Sequence, residues 1–510
     1  MILIEPQTNQ RFGAELVQHQ FPCSGVSRQL WRKIKTPEAD STEINPLEKN
    51  EPGLPDARTL DPPDQGFPAV TDDQYNKIRK AFIESLDPDA VCALASKHNN
   101  SKACQVVKKA SGSFNVCFFV EFDLDGSKWI VRVPIEPALD DPWDKLLSEV
   151  TTMQYLECNT QIPVPHIRAY GRDITLTKNG TGTQMFTITD LIPGEPLDRK
   201  FLIEAKEEHR RNFYSQLIDS LTELRKLEFP SIGSLMPNPD GSPHPVLGPV
   251  LSMSAATLRQ PPQPALTSAK EYMKHRFSLI SSFFSPPVSD HTVDEIKQEI
   301  FALDGLERIF QQVIDPRFDD GPFVLNHLDL RSANIIVDES LRIQGIIDWE
   351  FATTVPLQMF APPSWITGHD SIETDKQMHI EFRDVLDEKS KAHSVYDQLK
   401  REWYECSGSS SELGIDKTDM AFCVAHVLRR PANATDIFCD FFAQKLSEKH
   451  LDDIMSDFFD RNQELASEAQ RRAEHCERYT QYLKENGLYE TESDKLLAAS
   501  KALKEKWGWS

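Results

Sequence analysis

The hydrophobic positions of this 510-residue chain change their period several times, and each change marks a new kind of element. From residue 71, TDDQYNKIRKAFIESL spaces its apolar residues for a helix. Thr71 can cap that helix, and the acids of its first turn complement the helix dipole. From about Gln105 the period shortens. VVKKASGSFNVCFFVEFDLDGSKWIVRVP alternates as three strands, with Asp125-Gly126 as a hairpin turn. DPWDKLLSEVTTMQYLECNT returns to helical spacing through Leu146, Val150, Met153 and Leu156. IPVPHIRAYGRD and QMFTITDLIPGEPL predict two further strands. After Pro196 the run FLIEAKEEHRRNFYSQLIDSLTELRKL predicts a long amphipathic helical stretch. Residues 229–268 read as a Pro/Ser/Gly-rich loop region holding a small hairpin, and AKEYMKHRFSLISSFF predicts another helix. Two short apolar runs in HLDLRSANIIVDESLRIQGIIDWE, residues 327–350, predict two strands, the lone sheet-like hairpin around the chain's sharpest polar cluster. From about Thr374 the chain reads helical to its charged end, KALKEKWGWS.

This order predicts an α+β architecture: a small strand-rich lobe with one helix, a connecting strand, then a larger helical lobe. Four segments follow. Residues 1–72, rich in proline, acid and amide, bury too little apolar surface to offset their ordering entropy and are expected to be a disordered or surface-wrapping arm. Residues 73–190 make the small lobe, 191–373 the part of the large lobe with the polar cluster, and 374–510 its helical remainder and tail.

Charge narrows the partners. The net charge of −23 argues against a general nucleic-acid binder and against docking on anionic lipid. Nine dispersed cysteines without a CxxC pair fit a reducing compartment and not a disulfide framework. MILIEPQTNQ does not read as a signal peptide, and no apolar run reaches membrane-spanning length. The expected location is cytoplasmic. A mitochondrial alternative draws on Arg11, Arg28, Arg32 and Lys33, with Glu5 and Glu15 against it.

The polar cluster carries the chemistry. Asp329 and Asn334 lie five apart on a loop that enters the strand IIV, and Asp348 follows the strand IQGII. If the strands pair, the three side chains meet. Two carboxylates and an amide oxygen are hard donors that suit Mg²⁺, which keeps waters and binds substrate phosphates. The spacing H-x-D-x-x-x-x-N, then a strand and an Asp, is a phosphoryl-transfer arrangement, in which the first Asp orients and deprotonates an acceptor hydroxyl. The competing reading is a set of turn and cap residues at strand ends.

The segment resembles the catalytic and metal loops of the aminoglycoside phosphotransferase family, and EVTTMQYLECNTQIPVPHIRAYG resembles its fungal members. The resemblance covers roughly residues 100 to 370. It implies a bilobal protein-kinase-like fold with a small antiparallel-sheet lobe and a larger, mostly helical lobe. It also implies Asp329 as catalytic base, Asn334 and Asp348 as Mg²⁺ ligands, and His327 as a scaffold tying the two loops together. Arg331, two past the base, would touch the transferred phosphate. SGSFNV would be a nucleotide-covering loop, with Gly112 and Ser113 leaving backbone amides for phosphates. Arg132 would stand where kinases carry the lysine that grips the α- and β-phosphates, held by Glu149. Thr189, Asp190 and Leu191 would form the interlobe hinge that meets adenine. Departures are His-Leu-Asp for the usual His-Gly-Asp, Arg132 for lysine, and a single glycine in the covering loop. Arg132 and Glu149 also read as an ordinary surface pair, and Glu350 as a solvated or locally paired acid.

The resulting expectation is an ATP- and Mg²⁺-dependent transfer of the γ-phosphoryl group to a hydroxyl of a small molecule. The rival is a pseudokinase-like binding or scaffolding protein without turnover. A protein kinase fits less well, because WEFATTVPLQ lacks the glycine and the A-P-E anchor that follow the metal aspartate there.

Overall fold

In a computed structural model the described residues run from 66 to 500, apart from 69, 140–141, 369–375, 406–415, 444–448, 492, 495–496 and 498–499. They belong to one compact unit, residues 52–510. Most of the arm expected over 1–72 and the tail 501–510 lie outside the described residues.

Helix α1 (Asp72–Ser85) opens on a complete capping box: Thr71 accepts from the Gln74 N–H, and the Gln74 side chain accepts from the Thr71 N–H. A second helix, α2 (Pro88–His98), begins at Asp87, with proline at its first position. Both pack on a five-stranded antiparallel sheet of β1 (Cys104–Ser111), β2 (Asn115–Phe122), β3 (Lys128–Pro134), β4 (Ile167–Ile174) and β5 (Gln184–Asp190), in the order β1-β2-β3-β5-β4. Alternation on β2 and β3 sends Val116, Phe118, Val120, Val131 and Val133 into this lobe's own core. Helix α3 (Pro142–Asn159) connects β3 to β4.

The larger lobe begins with β6 (Glu195–Pro196) and a helical stretch that is two helices, Arg199–Glu204 and α4 (Glu207–Arg225), broken at Ala205 and Lys206. The expected lone hairpin is corrected here: among the described residues this lobe holds three small sheets. One is β12-β11-β6, from β11 (Ile335–Val337) and β12 (Ile343–Ile346). Another is β13-β10-β7, from β7 (Glu228–Phe229), β10 (Phe323–Asn326) and β13 (Thr353–Pro356). The third pairs β8 (Leu235–Met236) with β9 (Val246–Leu247). Helices α5 (Met253–Thr257), α6 (Ala269–Phe283), α7 (Val293–Gln312), α8 (Lys376–Ala392), α9 (Ser394–Tyr404), α10 (Lys417–Arg429) and α11 (Gln463–Glu485) surround them. A second, larger core joins their apolar faces. Ahead of α1, Phe67 is buried among His475, Tyr479 and Tyr482 of α11. No described helix is long and apolar enough to cross a membrane.

Two elements position the cleft between the lobes. The linker Ile192-Pro193-Gly194 lies on the β11–β12 pair, with Ile192 over Gly345. Gly194, at φ +121°, runs so close that a Cβ there would sit 2.5 Å from the Val337 carbonyl oxygen. The tip of the β1–β2 hairpin reaches down as well: Phe114 meets Phe351 edge-on at 5.1 Å, with Leu139 and Leu251 beside them.

Candidate active site

The loop between β10 and β11 carries Asp329, and the turn after β12 carries Asp348. They approach because β11 and β12 pair antiparallel, with Ile335 opposite Ile346. The Ile347 N–H donates to the Asn334 carbonyl at 2.9 Å, so Asn334 is fixed one residue from Asp348. Asn334 is buried, and its Nδ2 donates to the Asp329 carbonyl at 2.8 Å. That orientation leaves its Oδ1 as the acceptor end. Asp348 adopts φ +67°, a left-handed conformation that asparagine and aspartate tolerate best among non-glycine residues.

Buried His327 holds the two loops together. Its Nε2–H donates to the Ile347 carbonyl at 2.9 Å, and its ring lies 4.6 Å from that of Trp349. Burial pushes the imidazole pKa below its ordinary value, so the ring is held neutral. Trp349 in turn donates its indole N–H to the Ile346 carbonyl.

A charged cluster spans the lobes above Asp348. Arg132, on β3, donates through Nη1 to Glu149 on α3 and through Nη2 to Asp348 Oδ1 at 2.8 Å. The same Nη2 lies 3.6 Å from Glu350. With side-chain exposures of 14% and 3%, Arg132 and Glu149 are not a surface pair. Lys145, one turn before Glu149 on α3, pairs with Glu350, and Asn115 Nδ2 donates to the same Glu350 oxygen at 2.6 Å. Burial opposes the charge on Arg132, and Glu149, Asp348 and Glu350 overcome it, holding the guanidinium pKa well above its ordinary value. Burial pushes the Glu149 carboxyl up, with Arg132 and Lys145 pulling the other way.

Around Asp329 the surroundings are also cationic. Arg331 Nε lies 3.3 Å from Oδ2, and Arg429, the last residue of α10, lies 3.7 Å from Oδ1. Arg429 also donates to Ser364 Oγ at 2.9 Å. Beside Asp329 opens a cavity of about 340 Å³, walled by residues 326–330, Phe351, α5, α6, the run 361–363 and the end of α10. That volume suits a small organic molecule.

Three expected contacts come out differently. Asp190 and Leu191 do not offer their amides to a base: the Asp190 N–H donates to the His166 carbonyl at 3.1 Å, and the Leu191 N–H to Lys128 at 3.0 Å. The Asp190 carboxylate is taken by Arg168 in a two-point contact. The sheet register simply runs one residue further than a hinge there allows. Gly112 does not hold a free amide either, because its N–H closes the β1–β2 turn on the Asn115 carbonyl at 2.9 Å and its own carbonyl accepts from Arg79. A Cβ at Gly112 would make only an ordinary contact, 3.9 Å from the Asn115 carbonyl oxygen, so the turn does not require glycine. Ser113 is exposed at the hairpin tip.

Sequence reasoning did not find Lys145, Asn115 or Arg429. Lys145 had a signal: it lies four before Glu149, on the same helix face. Asn115 and Arg429 had none, since Asn115 meets Glu350 across 235 residues and Arg429 meets Asp329 from a helix far along the chain. No described group of three or more His, Cys, Asp and Glu side chains forms a metal site. A divalent ion on Asn334 and Asp348 would therefore complete its shell with water and phosphate oxygens, which is the habit of Mg²⁺.

Residues 110–358 match the phosphotransferase enzyme family. Clavilactone A biosynthesis cluster protein Y of Ampulloclitocybe clavipes is 28% identical over 327 residues, 60% of this chain and 74% of that protein. A subtelomeric hrmA-associated cluster protein of Aspergillus fumigatus is 28% identical over 130 residues, 26% of this chain and 24% of its own length. Among solved structures, a Plasmodium vivax ethanolamine kinase is 14% identical with a TM-score of 0.38, covering 82% of this chain and 96% of that one. The streptomycin–ATP ternary complex of APH(2")-IIa is 14% identical with a TM-score of 0.41, covering 72% and 96%.

Proposed function

From the match of residues 110–358 to the phosphotransferase enzyme family, we propose that the chain transfers the γ-phosphoryl group of ATP to a hydroxyl of a small molecule. The observation that carries the reading is the fixed relation of Asp329, Asn334 and Asp348. The Asn334 amide is bonded to the Asp329 backbone, and its carbonyl to the residue before Asp348. These bonds support the reading, because phosphoryl transfer depends on a base and metal ligands carried on a fixed backbone frame.

In this reading the acceptor sits in the cavity with its hydroxyl at Asp329. The acceptor oxygen bonds to the γ-phosphorus as the bond from that phosphorus to the β–γ bridging oxygen breaks. ADP leaves, and the hydroxyl proton passes to the Asp329 carboxylate. Mg²⁺, held by Asn334 and Asp348, supplies charge screening at the phosphates when bound. Arg132, kept in place by Glu149, aligns the α- and β-phosphates; Arg331 and Arg429 flank the oxygens of Asp329 and face the charge that moves during transfer. The adenine would meet the linker beyond Leu191, at Ile192 to Gly194. No nucleic-acid or lipid partner enters this reading.

Asp329→Asn should keep Mg-ATP binding by thermal shift and lose about 10²–10⁴-fold in turnover. Undiminished turnover removes Asp329 from the role of base. The rival without turnover draws on the Arg132–Asp348 ion pair, which a nucleotide-bound ion must displace. Mg-ATP binding by the wild-type chain with no phosphoryl transfer to any alcohol would favour it.

A further inference from the structure

The cavity beside Asp329 is walled chiefly by carbon. Leu221, Met253, Tyr272, Phe283, Met359 and Leu428 line it, from α4, α5, α6, α10 and the turn after β13. The serines and the threonine of the lining are already bonded within the wall. Ser252 Oγ accepts from the Ala255 N–H at 3.2 Å, Ser254 Oγ from Arg276 at 3.4 Å and Ser364 Oγ from Arg429 at 2.9 Å. Thr257 donates its hydroxyl to the Met253 carbonyl at 2.9 Å.

The charged groups of the lining are engaged as well. Its acids are Asp329 and Glu350. Glu350 is held by Lys145, Arg132 and Asn115, and Arg331 and Arg429 flank the two oxygens of Asp329. Buried Arg276 gives Nη2 to the Leu428 carbonyl at 3.1 Å as well as to Ser254, and its Nε and Nη1 are closed off from the cavity. Arg430 is exposed to solvent.

These facts sort the acceptors by chemistry. A cationic acceptor would enter a space whose arginines, at 276, 429 and 430, outnumber its two acids. An anionic one would find Arg276 and Arg429 engaged and Arg430 hydrated. A polyol would bury more hydroxyls than such a wall can bond, and each unbonded one opposes binding. An apolar body gives up no hydrogen bonds to water and gains with every carbon it buries.

We propose that the acceptor is an uncharged, largely apolar alcohol, with one hydroxyl at Asp329 and a hydrocarbon body in this cavity. This rests on the phosphotransferase reading and names its substrate class. The transfer step is the one given above, and its products are ADP and the phosphate monoester of that alcohol.

The test uses the full chain with Mg-ATP and a series of benzyl alcohols: unsubstituted, 4-methyl, 4-ethyl and 4-isopropyl. 4-(Aminomethyl)benzyl alcohol and 4-(hydroxymethyl)benzoate are the charged counterparts. Binding is followed by calorimetry and phosphate-ester formation by ³¹P NMR. Each added carbon should tighten binding and raise kcat/KM by about three- to fourfold. Both charged alcohols should fall about tenfold or more below the isopropyl compound. Phe283→Glu, at a half-buried position on the last turn of α6, brings a carboxylate to the wall. It should weaken the isopropyl compound and improve the amine, both through KM; a merely structural Phe283 would change all the alcohols alike. A flat response along the alkyl series, or a charged alcohol at or above the isopropyl compound, overturns the apolar-acceptor proposal and leaves the phosphotransferase reading standing. Alkyl alcohols that bind in the expected order without phosphoryl transfer keep the cavity's preference and overturn the phosphotransferase reading. Failure of Mg-ATP itself to bind overturns both.

Discussion

Arg132 is where most of the buried charge converges, and its partners show which single-residue facts a sequence can carry. A basic residue on the third strand and an acid on the next helix were legible, because strand alternation and helix spacing place both. Their burial was not, because it depends on Glu350 and Asn115, whose meeting spans 235 residues. The Glu350 carboxylate read as solvated or locally paired; its partners are all far along the chain. Arg132→Met would leave Glu149 buried without its principal counter-charge and should cost about 3–5 kcal/mol in a denaturant melt. The double variant Arg132→Met, Glu149→Leu should recover most of that loss, because it removes the buried carboxylate together with its partner and leaves only the more exposed Asp348 without Arg132. Equal melts for the single and double variants would show that Lys145 alone suffices for Glu149.

At the scale of elements, the helices and the long strands of the small lobe were legible from periodicity, and the elements that shape the cleft were not. Strands β7, β10 and β13 are two to four residues long, and β13 is buried throughout, so they show no alternation. The stretch 199–225 reads as one amphipathic pattern, yet the chain leaves helical geometry at Ala205 and Lys206, at ψ 162° and 143°. The linker at 192–194 lies three residues beyond the expected 189–191 because strand ends are set by the register of the β3–β5 and β4–β5 pairs, which is a tertiary property. The close approach of linker and β12 makes a prediction. Gly345→Val would drive a branched side chain into Ile192 and should destabilise by about 1–3 kcal/mol. It should also weaken Mg-ATP binding, since the linker must shift. Ile192→Ala in the same chain should restore both; a Gly345→Val protein with unchanged melting and nucleotide affinity would mean that the linker does not bear on the site.

For the whole molecule, the two cores are separate, and among the described residues the lobes meet at the linker, the Phe114–Phe351 patch, the charged cluster, the stack of Arg259 on Tyr75 and the apolar half of α3. Helix α3 belongs to both sides, with Lys145 and Glu149 in the cluster and Met153 and Leu156 packed into the larger core. The charged part of this joint gives up less on opening than an apolar interface of the same size, because each charge regains water. The sheet of β1–β5 should therefore open as its own unit, below the free energy of global unfolding. Amide hydrogen exchange tests this. Strands β1–β5 should exchange faster than α4 and α7, Mg-ATP should slow the strands selectively, and Lys145→Met should speed them by leaving Glu350 short of a counter-charge. Exchange at one common rate through both lobes would mean that the charged joint holds as firmly as the cores, and the lobes would then have no separate motion with which to admit a nucleotide.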